Sequence, residues 1–265
     1  MKKIIFLLTA VVLFSNCKEA TKEQSAESST QEEVIPQKTY PESITKVFEA
    51  HGGIDLWNAM SQLKYTIDRG GDANETHTVN LKDRRTLIDN KNYKLGFDGE
   101  KIWLDQDSTF FQPQRARFYH NLYFYFYAMP FILGDDGINY EEVEPLVFEG
   151  ISYPGTKISF NSGVGDAPED NYILYRNPET NEMAWLGYTV TYSTQQKSDK
   201  YSYIKYGEWQ NVSGLKLPKT LNWYTVEEGK PVAERNAQPF TNVLVSKAPP
   251  LSDFFVKPEK GEYIE

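Results

Sequence analysis

From residue 63 onward, apolar and polar positions alternate in short runs divided by turn residues. Leu63, Tyr65 and Ile67 alternate with Lys64, Thr66 and Asp68. His77, Val79 and Leu81 follow the turn stretch Gly70-Gly71-Asp72-Ala73-Asn74. Residues 86–88 and 93–97 flank Asp89-Asn90-Lys91-Asn92, and Asp98-Gly99-Glu100 leads into Ile102-Trp103-Leu104. The same pattern resumes at 156–160, 172–175 and 185–192. In the last of these, Leu186, Tyr188, Val190 and Tyr192 oppose Gly187, Thr189 and Thr191. Further runs cover 201–209, 221–226 and 240–245, and residues 253–258 form a short closing segment. Period-two alternation with closely spaced turns predicts an antiparallel meander of roughly nine to eleven strands.

Two stretches break that period. Ile44, Val47 and Phe48 make an i, i+3, i+4 stripe after a candidate cap at Ser43. After His51-Gly52-Gly53, residues 54–60 predict a second short helix, with Trp57 and Met60 facing the same way as Ile44 and Phe48. Residues 115–133 are apolar almost all round. Phe118, Leu122, Tyr125, Met129 and Ile132 share one helical face, and Tyr119, Tyr123, Phe126 and Pro130 share another. A strand is also open here, since Tyr123, Tyr125 and Tyr127 alternate with Phe124 and Phe126. Length and the Leu, Ala and Met content favour a helix that Pro130 ends or kinks. An element apolar on two faces must be covered on both. The expected fold is therefore mainly β with α inserts: a single curled antiparallel sheet, an unclosed barrel, with helices covering its concave face.

The first residues differ from the rest. Met1-Lys2-Lys3 is a positive start, and residues 4–14 form an apolar run too short to span a bilayer. Leu13-Phe14-Ser15-Asn16-Cys17 then resembles a bacterial lipobox of the relaxed kind found in Bacteroidota, with Leu four residues before the Cys and Asn16 in place of Gly or Ala. Cys17 is the sole Cys of the 265-residue chain, so no intrachain disulfide or Cys-based zinc site is available. The resemblance implies lipidation of Cys17 and a permanent membrane anchor, since stable anchoring takes at least about two acyl chains. Residues 18–40 are rich in Glu, Ser, Thr and Gln up to Thr39, which predicts a disordered acidic tether. The expected organisation is a signal peptide over 1–17, the tether over 18–40 and one domain over 41–265. A formal charge of −9 disfavours non-specific nucleic-acid binding.

The order of helix, meander, apolar helix and long hairpins resembles the LolA/LolB-like superfamily of lipoprotein carriers. More closely, His51-Gly52-Gly53-Ile54-Asp55-Leu56-Trp57 with Phe97-Asp98-Gly99-Glu100-Lys101-Ile102-Trp103 is similar to a family of uncharacterised Bacteroidota lipoproteins. The superfamily resemblance implies a cavity that binds acyl chains or other apolar ligands. A tethered chain fits an anchored acceptor or sensor better than a shuttle.

Chemistry is sparse. His51, His77 and His120 form no metal-ligand pair. His51 beside two Gly reads as a turn or cap residue, and His120 as a polar group among Tyr hydroxyls or a ligand contact. No Gly-x-Ser-x-Gly elbow is present, and Gly163-Val164-Gly165-Asp166 is a loop rather than a nucleotide fingerprint. Asp135-Asp136 with Glu141, Glu142 and Glu144 reads more readily as a solvated acidic loop than as a calcium site. No enzyme activity and no cofactor is expected. The expected function is binding of a lipid or lipoprotein acyl chain by a lipid-anchored outer-membrane protein on the periplasmic or cell-surface side. Phe118, Leu122, Tyr125, Phe126 and Met129 would line the mouth of the cavity, with Trp57 and Trp103 nearby. The alternative is a structural module whose helices fill the cavity and whose exposed face docks on an envelope protein complex or a glycan.

Overall fold

The computed structural model describes residues 38–161, 170–192, 194 and 196–264. Cys17, the acidic stretch 18–37 and Gly163-Val164-Gly165-Asp166 lie outside the described residues. Residues Thr39–Glu265 form one compact unit.

Alternation in the sequence becomes two antiparallel meanders. The first runs through β1 (Gln62–Ile67), β2 (Glu75–Asn80), β3 (Thr86–Asn90), β4 (Tyr93–Phe97) and β5 (Ile102–Gln106). The second runs through β6 (Ile138–Phe148), β7 (Ile151–Phe160), β8 (Tyr172–Arg176), β9 (Met183–Tyr188), β10 (Ser202–Val212), β11 (Leu215–Glu227) and β12 (Lys230–Ser246). They join side by side where β1 pairs with β12, from Gln62↔Ser246 to Ile67↔Phe240. A terminal strand, β13 (Glu262–Ile264), pairs with β5. The result is one open sheet of thirteen strands, ordered β13-β5-β4-β3-β2-β1-β12-β11-β10-β9-β8-β7-β6. This is the single unclosed antiparallel sheet that the alternation predicts.

Two strands go beyond the expected set. Residues 138–148 form the edge strand β6, so Glu141, Glu142 and Glu144 stand on a strand and not in a loop. Acidic side chains, Pro145 and a register shift between Val143 and Leu146 guard this edge against pairing with another chain. At the opposite edge β13 is only three residues long.

Helices fill the hollow. α1 (Glu42–Ala50) buries Ile44, Val47 and Phe48, at 0, 0 and 2% exposure. Burying each such side chain contributes about 2 kcal/mol. Its N-cap is Pro41. Ser43, expected as the cap, lies inside the helix and donates its hydroxyl to Glu142 at 2.6 Å. α2 (Ile54–Asn58) lays Trp57 flat on Phe131, with ring centroids 4.6 Å apart.

The apolar insert is helical: α3 (Ala116–Tyr127) and α4 (Met129–Ile132). The break falls at Ala128 (φ −94°, ψ 11°) rather than at Pro130. Pro130 sits in the first turn of α4, where its missing N–H has no partner to lose. The insert leaves β5 near one edge of the sheet and enters β6 at the other. It must therefore cross the whole concave face. α3 accordingly touches β3, β4 and β5 in one meander and β11 in the other.

Candidate functional site

The crossing of α3 over the sheet leaves a half-open cavity of about 600 Å³ between the helix and the second meander. α3 supplies Phe118, Asn121, Leu122, Tyr123, Tyr125 and Phe126 to its wall. The sheet supplies Phe160, Tyr172, Tyr188 and Trp223, and the segment after β9 supplies Tyr192. Phe126 packs on Tyr188 at 4.9 Å between centroids, and Phe118 on Tyr192 at 5.1 Å. Trp223 Nε1–H donates to the Tyr188 hydroxyl at 3.0 Å, which fixes both rings. Tyr206 donates to the Phe126 carbonyl at 2.5 Å and ties the helix to β10.

Polar groups stand on the same wall: Asp135, Asp136, Asp170, Arg235 and Asn236. Arg84 Nη2 donates to both oxygens of Asp135, at 2.7 and 2.8 Å. Asp170 Oδ1 accepts from the Thr191 N–H and hydroxyl, each at 2.7 Å. Burial pushes its carboxyl above the usual range, and the Thr191 bonds offset only part of that. Among the described residues, no group of three or more His, Cys, Asp or Glu is arranged to hold a metal ion.

A buried charge cluster holds the inner face of α3. Glu75 accepts from Tyr119 at 2.7 Å, from the Tyr93 hydroxyl, and from Arg69 Nη1 at 2.5 Å. His77 Nε2–H points at the same carboxylate at 3.3 Å. Burial alone would raise the Glu75 pKa. The hydrogen bond from His77, the charges of His77 and Arg69 and the bond from Tyr93 together hold it at about 2. Arg69 also donates to the Tyr119 hydroxyl at 2.8 Å and lies 5.3 Å from the Tyr123 ring centroid. Tyr123 lines the cavity, so the cluster sets the position of its wall.

His51 occupies the end of α1, as the two following glycines suggest. Its Nδ1 lies 3.1 Å from the Lys216 carbonyl, and its Nε2 accepts from the Met183 N–H at 3.0 Å. A carbonyl only accepts, so the proton is on Nδ1. The His51-Gly52-Gly53 motif is thus a lock between α1, β11 and β9. His120 is buried, with Nδ1 on the Arg117 carbonyl at 2.6 Å and its ring on Phe97. It does not line the large cavity.

Four of the seven residues expected at the cavity line it: Phe118, Leu122, Tyr125 and Phe126. The other three are placed elsewhere. Met129 begins α4 and is buried in the main core at 3% exposure, because the break at Ala128 turns it off the Phe118 face. Trp57 is stacked in that same core. Trp103 lies on the far side of the sheet with Leu87 and Phe255, donating Nε1–H to the Phe255 carbonyl at 2.9 Å. Its β5 neighbours Ile102 and Leu104 face α3, so strand parity sends Trp103 the other way. The sheet side of the cavity was not expected from sequence. Tyr188 and Tyr192 carried the right alternation, but nothing paired them with α3.

Taken together, the open sheet, the helix across its hollow and the aromatic cavity define a half-barrel with an internal binding-type hollow. Within that class, the chain belongs to the family of unknown function DUF6503, which it matches over residues 2–235. No curated protein matches the sequence. Among solved structures, the chain is similar to a LolA superfamily protein from Nitrosomonas europaea, at 10% identity and a TM-score of 0.47, over 83% of this chain and 99% of that one. It is also similar to a DUF1329 family protein from Desulfovibrio piger, at 13% identity and a TM-score of 0.46, over 80% of this chain and 95% of that one.

Proposed function

We propose that this chain is a lipid-anchored envelope protein that binds an apolar or amphipathic ligand, such as an acyl chain, without transforming it. Cys17 is the proposed anchor, on the lipobox resemblance. The observation that carries the binding reading is the aromatic cavity. Its volume of about 600 Å³ lies within the roughly 300–1,000 Å³ of small-molecule sites. Phe118, Leu122, Tyr125 and Phe126 are the proposed contacts. Apolar surface buried there contributes about 25 cal/mol per Å². Rings held by their own hydrogen bonds need little further ordering when the ligand enters.

The test is native mass spectrometry of the full chain recovered from its own envelope, beside Leu122→Trp. Leu122 is partly exposed on the cavity wall, so an indole there reaches into the hollow and fills it. A co-purifying lipid-like mass on the wild type, lost in Leu122→Trp, supports the reading. An empty wild-type protein whose melting temperature is unmoved by fatty acids or phospholipids overturns it.

A further inference from the structure

A second, smaller hollow of about 150 Å³ adjoins the large one along α3. Arg84, Thr86, Arg117, His120, Asn121 and Tyr125 line it, with two Phe rings. None of its lining residues is acidic. Asn121 and Tyr125, one helical turn apart, line both hollows and make them neighbours. Arg84 sits at a left-handed backbone position (φ 64°), with its guanidinium 4.9 Å from the Phe124 ring centroid. Nη2 makes both bonds to Asp135. Nη1 is buried and has no hydrogen-bond partner. A guanidinium offers only donors, so a buried Nη1 calls for an acceptor.

We propose that this hollow is an oxyanion site. It takes the phosphate or carboxylate head of an amphipathic ligand whose apolar part lies in the large cavity. The inference deepens the function proposed above and rests on it. Asp135, Asp136 and Asp170 line the large cavity, while Arg117 and Arg84, the latter paired through Nη2 with Asp135, line the small one. An anionic head is disfavoured beside those carboxylates and meets the unpartnered Arg84 Nη1–H in the small hollow. Rejection and attraction together set selectivity.

The test uses the full chain with Cys17→Ser, loaded with the neutral fluorophore N-phenyl-1-naphthylamine. Dodecyl phosphate, dodecanoate, dodecanol and dodecyltrimethylammonium then compete below their micellar concentrations. Both anions are expected to displace the probe at about tenfold lower concentration than dodecanol. That ratio is expected to fall towards one in Arg84→Lys, which keeps a cation for Asp135 but removes Nη1, and in Arg117→Gln. Equal displacement by all four in the wild type, or a ratio unchanged in both variants, overturns the anion site while leaving the cavity intact. A probe that never enters the wild type refutes the cavity reading instead. The anion site is then decided by inorganic phosphate, titrated against the Thr86 and Asn121 amide resonances. Saturating shifts support it, and still resonances overturn it. Inorganic phosphate binding as tightly as dodecyl phosphate assigns the site to a free oxyanion, and tighter binding of dodecyl phosphate assigns it to a lipid head.

Discussion

Lowering the pH from 6.5 towards 4 places a proton where the fold has no room for one. His51 is fully buried, with a donor bond from Nδ1 to Lys216 and an acceptor bond at Nε2 from Met183. A proton on Nε2 would set two donors face to face. Burial is the main cause that lowers its pKa from 6.5 to about 4, while the Lys216 carbonyl and the Glu182 charge pull upward and lose. The unfolded chain takes up this proton near 6.5, so between 6.5 and about 4 the unfolded state binds more protons. The stabilisation from neutral His51 is complete above that window and is lost as the pH falls through it. The gap is equivalent to about 3 kcal/mol. Urea unfolding of the wild type and of His51→Gln across this range reads it directly. The wild type is expected to be the more stable at neutral pH, with its lead shrinking by about 3 kcal/mol by pH 4. His77 is depressed in the same direction by burial, but it is present in both proteins and cancels in the difference. Parallel pH profiles, or an NMR titration placing the His51 midpoint near 6.5, would refute the reasoning.

Three further outcomes are expected. Gly52→Ala puts a Cβ 2.2 Å from the Gly214 carbonyl oxygen at a backbone φ of +102°, and should cost about 3 kcal/mol or more in urea unfolding. Glu75→Ala leaves Arg69 without its buried partner and should cost about 3–5 kcal/mol, against about 1 for Tyr93→Phe; equal losses would show that the charge cluster does not hold α3. Gly96→Ala drives a methyl into the Trp103 ring 2.2 Å away and should lower stability by about 1–3 kcal/mol, with part of that recovered when Trp103→Leu is added.

The sheet was legible because most strands bury one face, and period two survives wherever one face is wet. β6 was hidden for the opposite reason. It is an edge strand whose Glu141, Glu142, Glu144 and Pro145 break any apolar alternation. β13 is too short to carry a pattern and exists only by pairing with β5. Trp103 was expected near the cavity and lies on the other face of the sheet: Ile102, Trp103 and Leu104 are all buried, and a strand buried on both sides gives no parity signal. The α3 half of the cavity was readable as one helical face. The sheet half required knowing that the insert joins opposite edges. The Glu75 cluster draws on a turn, two strands and a helix; its single local sign was Glu75 and His77 two residues apart on one strand face.

The seam between β1 and β12 has a consequence for how the chain must fold. Gln62 finds its partner at Ser246, so almost the whole domain must be synthesised before the seam can close. Until then the five-strand meander β1–β5 stands alone with the outer edge of β1 unpaired. Closing so long a loop is slow relative to forming the hairpins on either side of it. The chain therefore passes through a half-built sheet that offers an adhesive edge to its neighbours, and that stage is where a chaperone has most to protect.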